Sequence, residues 1–218
     1  MVDDTPVIEI KNGNEAKDVL SSFIKTKDVR YFKAFDEFMK SKGNSYVFID
    51  LEVDSISDLN INTGNGNLID YIIDYYDKFG YSLKKLLVSD MSVISQIIKR
   101  NNPELLEYIT EEFLYKEYES GKSLFDYLLD NNLLSEKLIS KIYKVEYVDK
   151  LRQKDVKYLK FINPSMARKY MVGDVNALEY LFQSGLIDSK RITDFYSGED
   201  IYLLCVKYNR YDLLTYLQ

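Results

Sequence analysis

Residues 197–218, SGEDIYLLCVKYNRYDLLTYLQ, contain the pattern that indicates how this chain folds. A glycine precedes one apolar run, a polar break follows it, and a second apolar run closes the stretch. Apolar residues at helical spacing, separated by turn-forming residues, are typical of short amphipathic helices. The stretch therefore predicts two short helices joined by a turn.

The same pattern recurs along the chain in two kinds of segment. The first kind has a glycine or polar start and then an apolar stripe, as in NGNLIDYIIDYY (65–76), GKSLFDYLLDNN (121–132) and GEDIYLLCVKYN (198–209). The second kind is DVRYFKAF (28–35), NPELLEYI (102–109), DVNALEYL (174–181) and RYDLLTYL (210–217). Each segment of the first kind predicts a turn followed by a short helix.

Tyrosines in the second kind of segment indicate a period. Tyr108 and Tyr180 are 72 positions apart, and Tyr180 and Tyr216 are 36 apart. A period near 36 is typical of an array in which each unit buries its apolar face against its neighbours. The alternatives are chance similarity between amphipathic helices and a non-repetitive helical bundle.

The last segment resembles an ankyrin repeat, in which a turn opens a first helix with small residues and a break precedes a second helix ending in leucines. The matching positions are Gly198, Cys205, Val206, Asn209, Leu213, Leu214 and Leu217. Partial matches lie at Gly121, Ser123 and Phe125, at Gly173 with residues 180–185, and at Asn101–Ile109. No unit carries the family's Thr-Pro-Leu-His turn. The resemblance implies a degenerate ankyrin-repeat protein that binds another protein.

The expected fold class is all-α or mostly α: a short α-solenoid of about five or six ankyrin-like helix pairs. Residues 1–60 are expected to form an N-terminal cap with the first helix pair, and residues 61–218 the array. Two alternating, β-branched or aromatic segments of the cap, PVIEIK (6–11) and YVFIDLEV (46–53), predict strands that pair with each other. The expected core comprises Leu124, Phe125, Leu128, Leu129, Leu203, Val206, Leu213, Leu214 and Leu217.

Composition excludes several function classes. The 218 residues contain 29 basic and 35 acidic side chains, so the net charge of −6 makes nucleic acid an unlikely partner. The absence of histidine excludes Ser-His-Asp and Cys-His sites, and zinc sites built on histidine. One cysteine, no signal-like start and no long apolar run indicate an intracellular protein without a transmembrane segment. No cofactor is expected.

Two charged segments are the candidate partner-binding sites. Residues 101–120 are expected to form one helix with glutamates on one face, and the acidic candidates are Glu104, Glu107, Glu111 and Glu112. Residues 137–169 carry ten basic and three acidic residues, a local charge of +7, and the basic candidates are Lys150, Arg152, Lys154 and Lys157. Either patch would steer a partner of opposite charge, and the basic one would also suit RNA or anionic lipid. The alternative is that both are ordinary solvated helix faces.

One carboxylate cluster offers a different chemistry. Asp50, Glu52 and Asp54 alternate, so on a strand they would share a face and hold a divalent cation. The alternative is a solvated strand face. Gly64 and Gly66 lack the lysine and third glycine of a phosphate-binding loop, and Cys205 has no neighbouring base, so a loop and a core residue are the preferred interpretations.

The sequence thus predicts a protein–protein interaction module without catalytic activity. A first alternative is an inhibitor or immunity-type protein that occludes a basic enzyme. A second is a metal-dependent enzyme that uses Asp50, Glu52 and Asp54. The C-terminal helix is expected to expose Leu213, Leu214, Tyr216 and Leu217, which would favour self-association.

Overall fold

The computed structural model describes residues 7–43, 45–195 and 199–217. These residues are mostly helical and include two small antiparallel sheets of two strands each. The chain divides into two compact units, Met1–Ile109 and Thr110–Gln218. The mostly α class is confirmed. The predicted division into a cap (1–60) and an array (61–218) stays a prediction.

The first unit opens with a helix pair, α1 (Gly13–Thr26) and α2 (Val29–Lys42). The Asn12 side chain accepts from the backbone N–H groups of Asn14 and Glu15, which satisfies donors that a helix start leaves unpaired. Lys27 ends α1 in the left-handed conformation, with φ 61°. The two helices bury apolar faces, and the rings of Phe23 and Phe32 lie 5.2 Å apart.

The two predicted strands are absent from the described part of the first unit. Residues 7–11 have no regular structure, and Pro6 lies outside the described residues. Residues 46–53 are extended and bury alternate side chains, but their backbone forms a single bridge, from Ile49 to Phe79. The alternating pattern therefore reflects the burial of Val47, Ile49 and Leu51, although no neighbouring strand pairs with this segment along its length.

Short helices complete the first unit. They are α3 (Leu68–Asp74), α4 (Tyr81–Leu87) and α5 (Met91–Lys99), with 3₁₀ helices at Ile56–Leu59, Tyr76–Lys78 and Pro103–Tyr108. Ahead of α3, a tight loop is closed by the Asn62–Asn67 bridge, and the Thr63 backbone N–H donates to the Gly66 carbonyl at 2.9 Å. Gly66 has φ 140°, a conformation that L side chains rarely adopt.

The second unit contains the same order of elements twice. The first copy is α6 (Glu111–Leu114), β1 (Glu117–Glu119), β2 (Lys122–Ser123), α7 (Leu124–Asp130), α8 (Glu136–Ile139), α9 (Val145–Lys154) and a 3₁₀ helix (Val156–Phe161). The next is α10 (Pro164–Lys169), β3 (Met171–Val172), β4 (Val175–Asn176), α11 (Ala177–Gln183), α12 (Ser189–Ile192), α13 (Glu199–Lys207) and a 3₁₀ helix (Tyr211–Tyr216), with a 3₁₀ turn at Thr193–Phe195.

Residues 56–108 of the first unit follow a similar order, with a 3₁₀ helix in place of α6, the Asn62–Asn67 loop in place of a hairpin, and an added 3₁₀ helix at Tyr76–Lys78. We call residues 56–108, 111–161 and 164–216 the first, second and third repeats. Their first long helices begin at Leu68, Leu124 and Ala177, so the step is 56 and then 53 residues. Each repeat therefore contains two successive helix pairs, and a hairpin or tight loop precedes only the first pair.

This order corrects the 36-residue period. DVNALEYL contains the end of the β3–β4 turn, strand β4 and the start of α11, so the counterparts of its NALEY portion are NLIDY at Asn67–Tyr71 and SLFDY at Ser123–Tyr127. Tyr180 therefore corresponds to Tyr71 and Tyr127 rather than to Tyr216. The segment 198–209 corresponds to α5 and α9, and its opening Gly198 lies outside the described residues. Amphipathic helices of similar length resemble one another wherever they lie in a repeat. The 36-residue spacing arose because helices from different positions in the repeat were matched.

The expected core is confirmed on α7, where Leu124, Phe125, Leu128 and Leu129 are buried. Leu213 and Leu217 are buried as well, and Leu214 is half-buried. The expectation was wrong for Leu203 and Val206, which are 69% and 53% exposed. Helix α13 buries Ile201 and Cys205 instead, and residues at positions two and five after Ile201 fall on the other face of a helix.

Candidate interaction surfaces

A polar side chain caps the helix that follows the tight loop or hairpin in each repeat. Asn67, Ser123 and Asn176 are the N-cap residues of α3, α7 and α11. Their side-chain oxygens accept from the backbone N–H of Ile69 (2.8 Å), Asp126 (3.1 Å) and Glu179 (2.9 Å). The cap fixes where each helix starts, so the acidic residue in its first turn points to an equivalent place in every repeat.

That acidic residue is ion-paired with a basic residue of the same repeat that belongs to the C-cap of α5, to α9 or to α13. The N–O distances are 3.1 Å for Arg100–Asp70, 2.7 Å for Lys150–Asp126 and 2.5 Å for Lys207–Glu179. Sequence reasoning missed this set. The signal that reveals it is the Asp/Glu-Tyr pair in NLIDY, SLFDY and NALEY, once DVNALEYL is aligned with the first kind of segment.

These contacts shift the titration of the carboxyl groups. Burial alone would raise the pKa of Asp126, but hydrogen bonds from Lys150 and Ser123 outweigh it, so the pKa is lowered. Hydrogen bonds from Lys207 and Tyr208 lower the pKa of Glu179. Both carboxylates therefore stay ionised at neutral pH. Asp126 connects α7 to α9, and Glu179 connects α11 to α13.

The four acidic candidates do not lie on one helix. Glu104 and Glu107 belong to the 3₁₀ helix Pro103–Tyr108, whereas Glu111 and Glu112 begin α6. The chain leaves the helical conformation at Ile109 and Thr110, where ψ is 136° and 154°, so the expected continuous acidic helix is wrong. Buried Leu105, Leu106 and Ile109 anchor this short segment and limit its length.

The two glutamates of α6 have different environments. Glu111 accepts hydrogen bonds from the Tyr115 hydroxyl (2.5 Å) and the Tyr143 backbone N–H (2.7 Å). Burial and the bond to Glu111 raise the pKa of the Tyr115 hydroxyl, so this group remains a donor at neutral pH. Glu112 is exposed. Glu111 is therefore a structural residue, and Glu112 is available to a partner.

The basic candidates also divide into two classes. Lys150 bonds to Asp126 and lies over the Tyr147 ring, and Arg152 lies over the Tyr170 ring. Lys154 and Lys157 are exposed, and their side chains form no ion pair within the part of the chain that the structure describes. Two of the four are therefore held by intramolecular contacts.

Other basic side chains of residues 137–169 are paired too. Lys160 contacts Asp188, the Arg168 Nε lies 3.0 Å from Asp200, and the Lys144 ammonium lies 4.3 Å from the Tyr115 ring centroid. A cavity of about 300 Å³ is lined by Lys137, Lys160, Lys190 and Arg191, with Glu136 and Asp194 facing them. Asp188 and Asp200 of the third repeat thus pair with two of the ten basic residues of this segment.

The carboxylates Asp50, Glu52 and Asp54 are exposed on the extended segment. Across residues 7–43, 45–195 and 199–217, no group of three or more His, Cys, Asp or Glu side chains is placed to hold a metal ion. The three alternating carboxylates are therefore not brought together as ligands. Asp50 lies against Gly80, where an added Cβ would come 2.5 Å from the Asp50 Oδ1.

The remaining candidates have structural roles. Gly64 and Gly66 adopt positive φ in the tight loop before α3. Cys205 is buried on α13, and burial raises the pKa of its thiol, which disfavours the nucleophilic thiolate. Both findings agree with the loop and core interpretations.

Among the described helices, none is both long enough and apolar enough to cross a membrane. Comparison with known proteins found no matching family model, no matching curated protein and no matching solved structure. The ankyrin resemblance therefore stays a prediction, based on the residues that carry it.

Proposed function

We propose that the chain is a protein-binding module, a short solenoid of degenerate ankyrin-like helix pairs that binds another protein and has no catalytic activity. The observation that carries this proposal is the contrast between the interiors and the exteriors of the repeats. Arrays of similar units bind partners through surfaces that differ from unit to unit.

Hairpin turns illustrate the contrast. The β1–β2 turn exposes Glu119 and Lys122, whereas the β3–β4 turn exposes Met171 and Asp174. Directly after both turns, the N-cap side chain and the buried residues of α7 and α11 are equivalent. The buried part of the unit is retained while its exposed part varies, which is expected when the exposed part contacts something other than this chain.

The acidic residues are the preferred partner-binding group, with a basic protein surface as the partner. Glu104 and Glu112 are exposed and Glu107 is half-buried, so all three reach solvent, whereas Glu111 has an internal role. An oppositely charged surface would be steered toward them, which raises the association rate.

Affinity purification of the tagged full chain from its native lysate, followed by mass spectrometry, tests the proposal. The informative variant is Glu104→Lys, Glu107→Lys, Glu112→Lys, which leaves Glu111 in place. A matched control, Asp18→Lys, Glu37→Lys, Asp58→Lys, reverses three other exposed acids, so both variants change the formal net charge from −6 to 0.

A partner retained by wild type and control but lost from the first variant would support a binding module to whose binding these glutamates contribute. Loss from both variants would mean that net charge alone governs retention and would count against a specific acidic surface. If no protein is retained specifically by wild type, the binding proposal fails. A retained basic enzyme whose activity falls when it is bound would favour the inhibitor alternative.

A further inference from the structure

The extended segment 46–53 of the first unit leaves most of its backbone unpaired. The Ile49 N–H donates to the Lys78 carbonyl at 2.7 Å, and the Ile49 carbonyl accepts from the Gly80 N–H at 3.0 Å. Within the part of the chain that the structure describes, no other backbone group of residues 46–53 has a hydrogen-bond partner. Native proteins seldom leave backbone N–H and C=O groups unpaired, so the remaining groups of this segment require water or another chain.

The unpaired groups lie along the edge opposite to the one that Ile49 uses. Successive residues of an extended chain direct their N–H and C=O groups to opposite edges, so those of Phe48, Asp50 and Glu52 share the second edge. At Phe48 this edge is close to the start of α1, because a Cβ added at Gly13 would lie 3.4 Å from the Phe48 carbonyl oxygen. Asp50 and Glu52 are exposed, so the edge is expected to be open beside them.

The two faces of the segment have opposite character. Alternate side chains from Val47 to Leu51 are buried, whereas Phe48 is 47% exposed and the carboxylates of Asp50 and Glu52 are exposed. Neither carboxylate forms a hydrogen bond or an ion pair with any described residue, so both charges are available to a partner. A strand with one face on the core and an unpaired edge is the arrangement to which another chain adds a strand.

We propose that this edge binds an extended basic segment of another protein, which adds a strand beside Asp50 and Glu52. The backbone N–H and C=O groups of the two residues hydrogen-bond to the added strand and fix its extended conformation. Directly opposite residues of paired strands share a face, so lysine or arginine at alternate positions of the added strand lies against the two carboxylates. An acidic strand would place like charges opposite each other, which is destabilising.

This binding goes beyond the proposed role of Glu104, Glu107 and Glu112 and does not depend on it. The unpaired backbone carries the inference, and the carboxylates decide only the charge of the occupant. A test with a synthetic peptide therefore leaves the affinity purification result for the three glutamates unaffected.

Isothermal titration of the full chain with the peptide acetyl-KTKVKTK-amide, at low salt and up to about 1 mM peptide, tests the site. Because the contact is small, the dissociation constant is expected on the order of 100 µM. The same peptide with glutamate in place of lysine should not bind measurably. Absence of binding by the lysine peptide, or equal binding of the glutamate peptide, would overturn the proposal.

Two N-methylated peptides separate strand addition from simple charge attraction. One is methylated at the backbone nitrogens of the lysines, and the other at those of the threonines and the valine. Both keep the charge of the parent peptide, but each has lost the N–H donors of one edge. One of the two should bind like the parent and the other at least about 10-fold more weakly, because only one edge of the peptide faces the chain. Equal affinities of the two methylated peptides, whether high or low, would contradict strand addition.

The variant Asp50→Asn, Glu52→Gln removes both charges and should weaken binding of the lysine peptide about 10-fold at low salt. A matched control, Asp18→Asn, Glu37→Gln, neutralises two other exposed acids, so both variants change the formal net charge from −6 to −4. The control should bind like wild type. Equal affinities of the two variants would overturn the placement of the peptide beside Asp50 and Glu52.

Amide hydrogen exchange of the wild-type chain supplies a readout that needs no variant. Saturation at about 1 mM peptide should slow exchange at Asp50 and Glu52 by about 10-fold, because the added strand accepts from these N–H groups. Exchange at Leu51, whose N–H points to the other edge, should change little. Exchange that is unchanged at Asp50 and Glu52 while the peptide is bound would overturn the proposal.

Discussion

The second and third repeats share their interior and differ in their exterior. Helices α9 and α13 bury residues at two equivalent positions, Tyr147 with Ile201 and Leu151 with Cys205. Each also donates a lysine to an equivalent carboxylate, Lys150 to Asp126 and Lys207 to Glu179. Their outer faces differ, since Asp149 and Arg152 of α9 correspond to Leu203 and Val206 of α13. The face of α9 is covered by Tyr170, whose hydroxyl donates to Asp149, and the corresponding face of α13 is exposed and apolar.

This difference indicates which positions of a repeat are expected to carry specific function. A core packs at high density, so its residues tolerate little change in volume. Outer positions have no such constraint and take the residues that suit whatever contacts them. If buried side chains of the second and third repeats stabilise the fold and exposed ones do not, substitutions at the two kinds of position should differ clearly in their effect on stability.

Shortening a buried residue of α9 should cause the largest loss in the free energy of unfolding. Leu151→Ala removes a fully buried side chain of α9 and should lower the free energy of unfolding by about 2 to 5 kcal/mol. Leu203→Ala on α13 should change it by less than about 0.5 kcal/mol. Urea denaturation of dilute samples measures both, and similar losses would mean that the face of α13 is packed in the monomer.

The next largest difference in stability is expected between substitutions of Glu111 and of Glu112, at the start of the second repeat. Glu111→Lys removes the acceptor for Tyr115 and for the Tyr143 N–H, and should cost about 2 to 3 kcal/mol. Glu112→Lys, at an exposed neighbour, should cost less than about 0.5 kcal/mol. Thermal denaturation of the two variants measures the difference, and equal melting temperatures would contradict the structural role of Glu111.

Asp126→Asn removes the ion pair with Lys150 and should lower the free energy of unfolding by about 1 kcal/mol at pH 7. Because the folded state lowers the pKa of Asp126, its contribution is full above the usual carboxyl pKa near 3.8. The contribution is lost as pH falls through the lowered value.

Urea denaturation of wild type and Asp126→Asn at pH 7, 5 and 3.5 follows this loss. The difference between them should be constant from pH 7 to 5 and shrink in the most acidic sample. Asp174→Asn, at an exposed hairpin carboxylate, is the control and should match wild type at each pH. A difference that persists or grows toward low pH would contradict the assigned ion pair.

The smallest effect is expected at the two exposed lysines, Lys154 at the end of α9 and Lys157 in the 3₁₀ helix that follows. Lys154→Ala and Lys157→Ala should each leave the free energy of unfolding within about 0.5 kcal/mol of wild type. Arg152→Ala should cost more, because its side chain packs on Tyr170. Calorimetric melting temperatures check the order, and a larger loss at Lys154 or Lys157 would mean that these lysines have an internal partner.

Sequence reasoning identified the helical segments better than the order in which they repeat. The apolar stripe of α7 was predicted correctly because alternating burial at helical spacing leaves a direct trace in the sequence. The step of 53 to 56 residues was missed, since two helix pairs with similar stripes occur in each repeat. The strand at 46–53 was wrong because alternation predicts an extended segment but not the presence of a ladder partner.

The candidate charged residues show a similar limit. Their sign and position follow from the sequence, and Glu112, Lys154 and Lys157 are exposed as solvated candidates should be. The sequence did not indicate that Glu111, Lys150 and Arg152 have internal contacts with Tyr143, Asp126 and Tyr170, because these partners lie 32, 24 and 18 positions away and are adjacent only in the folded chain.

Helix periodicity, capping residues and composition act locally, so a mostly helical chain of short elements without histidine chemistry is predictable from the residues alone. The buried face of α13, the pairing of charges and the presence of two helix pairs in each repeat become visible only in the folded chain. These outcomes depend on contacts between segments far apart in the chain, and the energy of such contacts outweighs local preference.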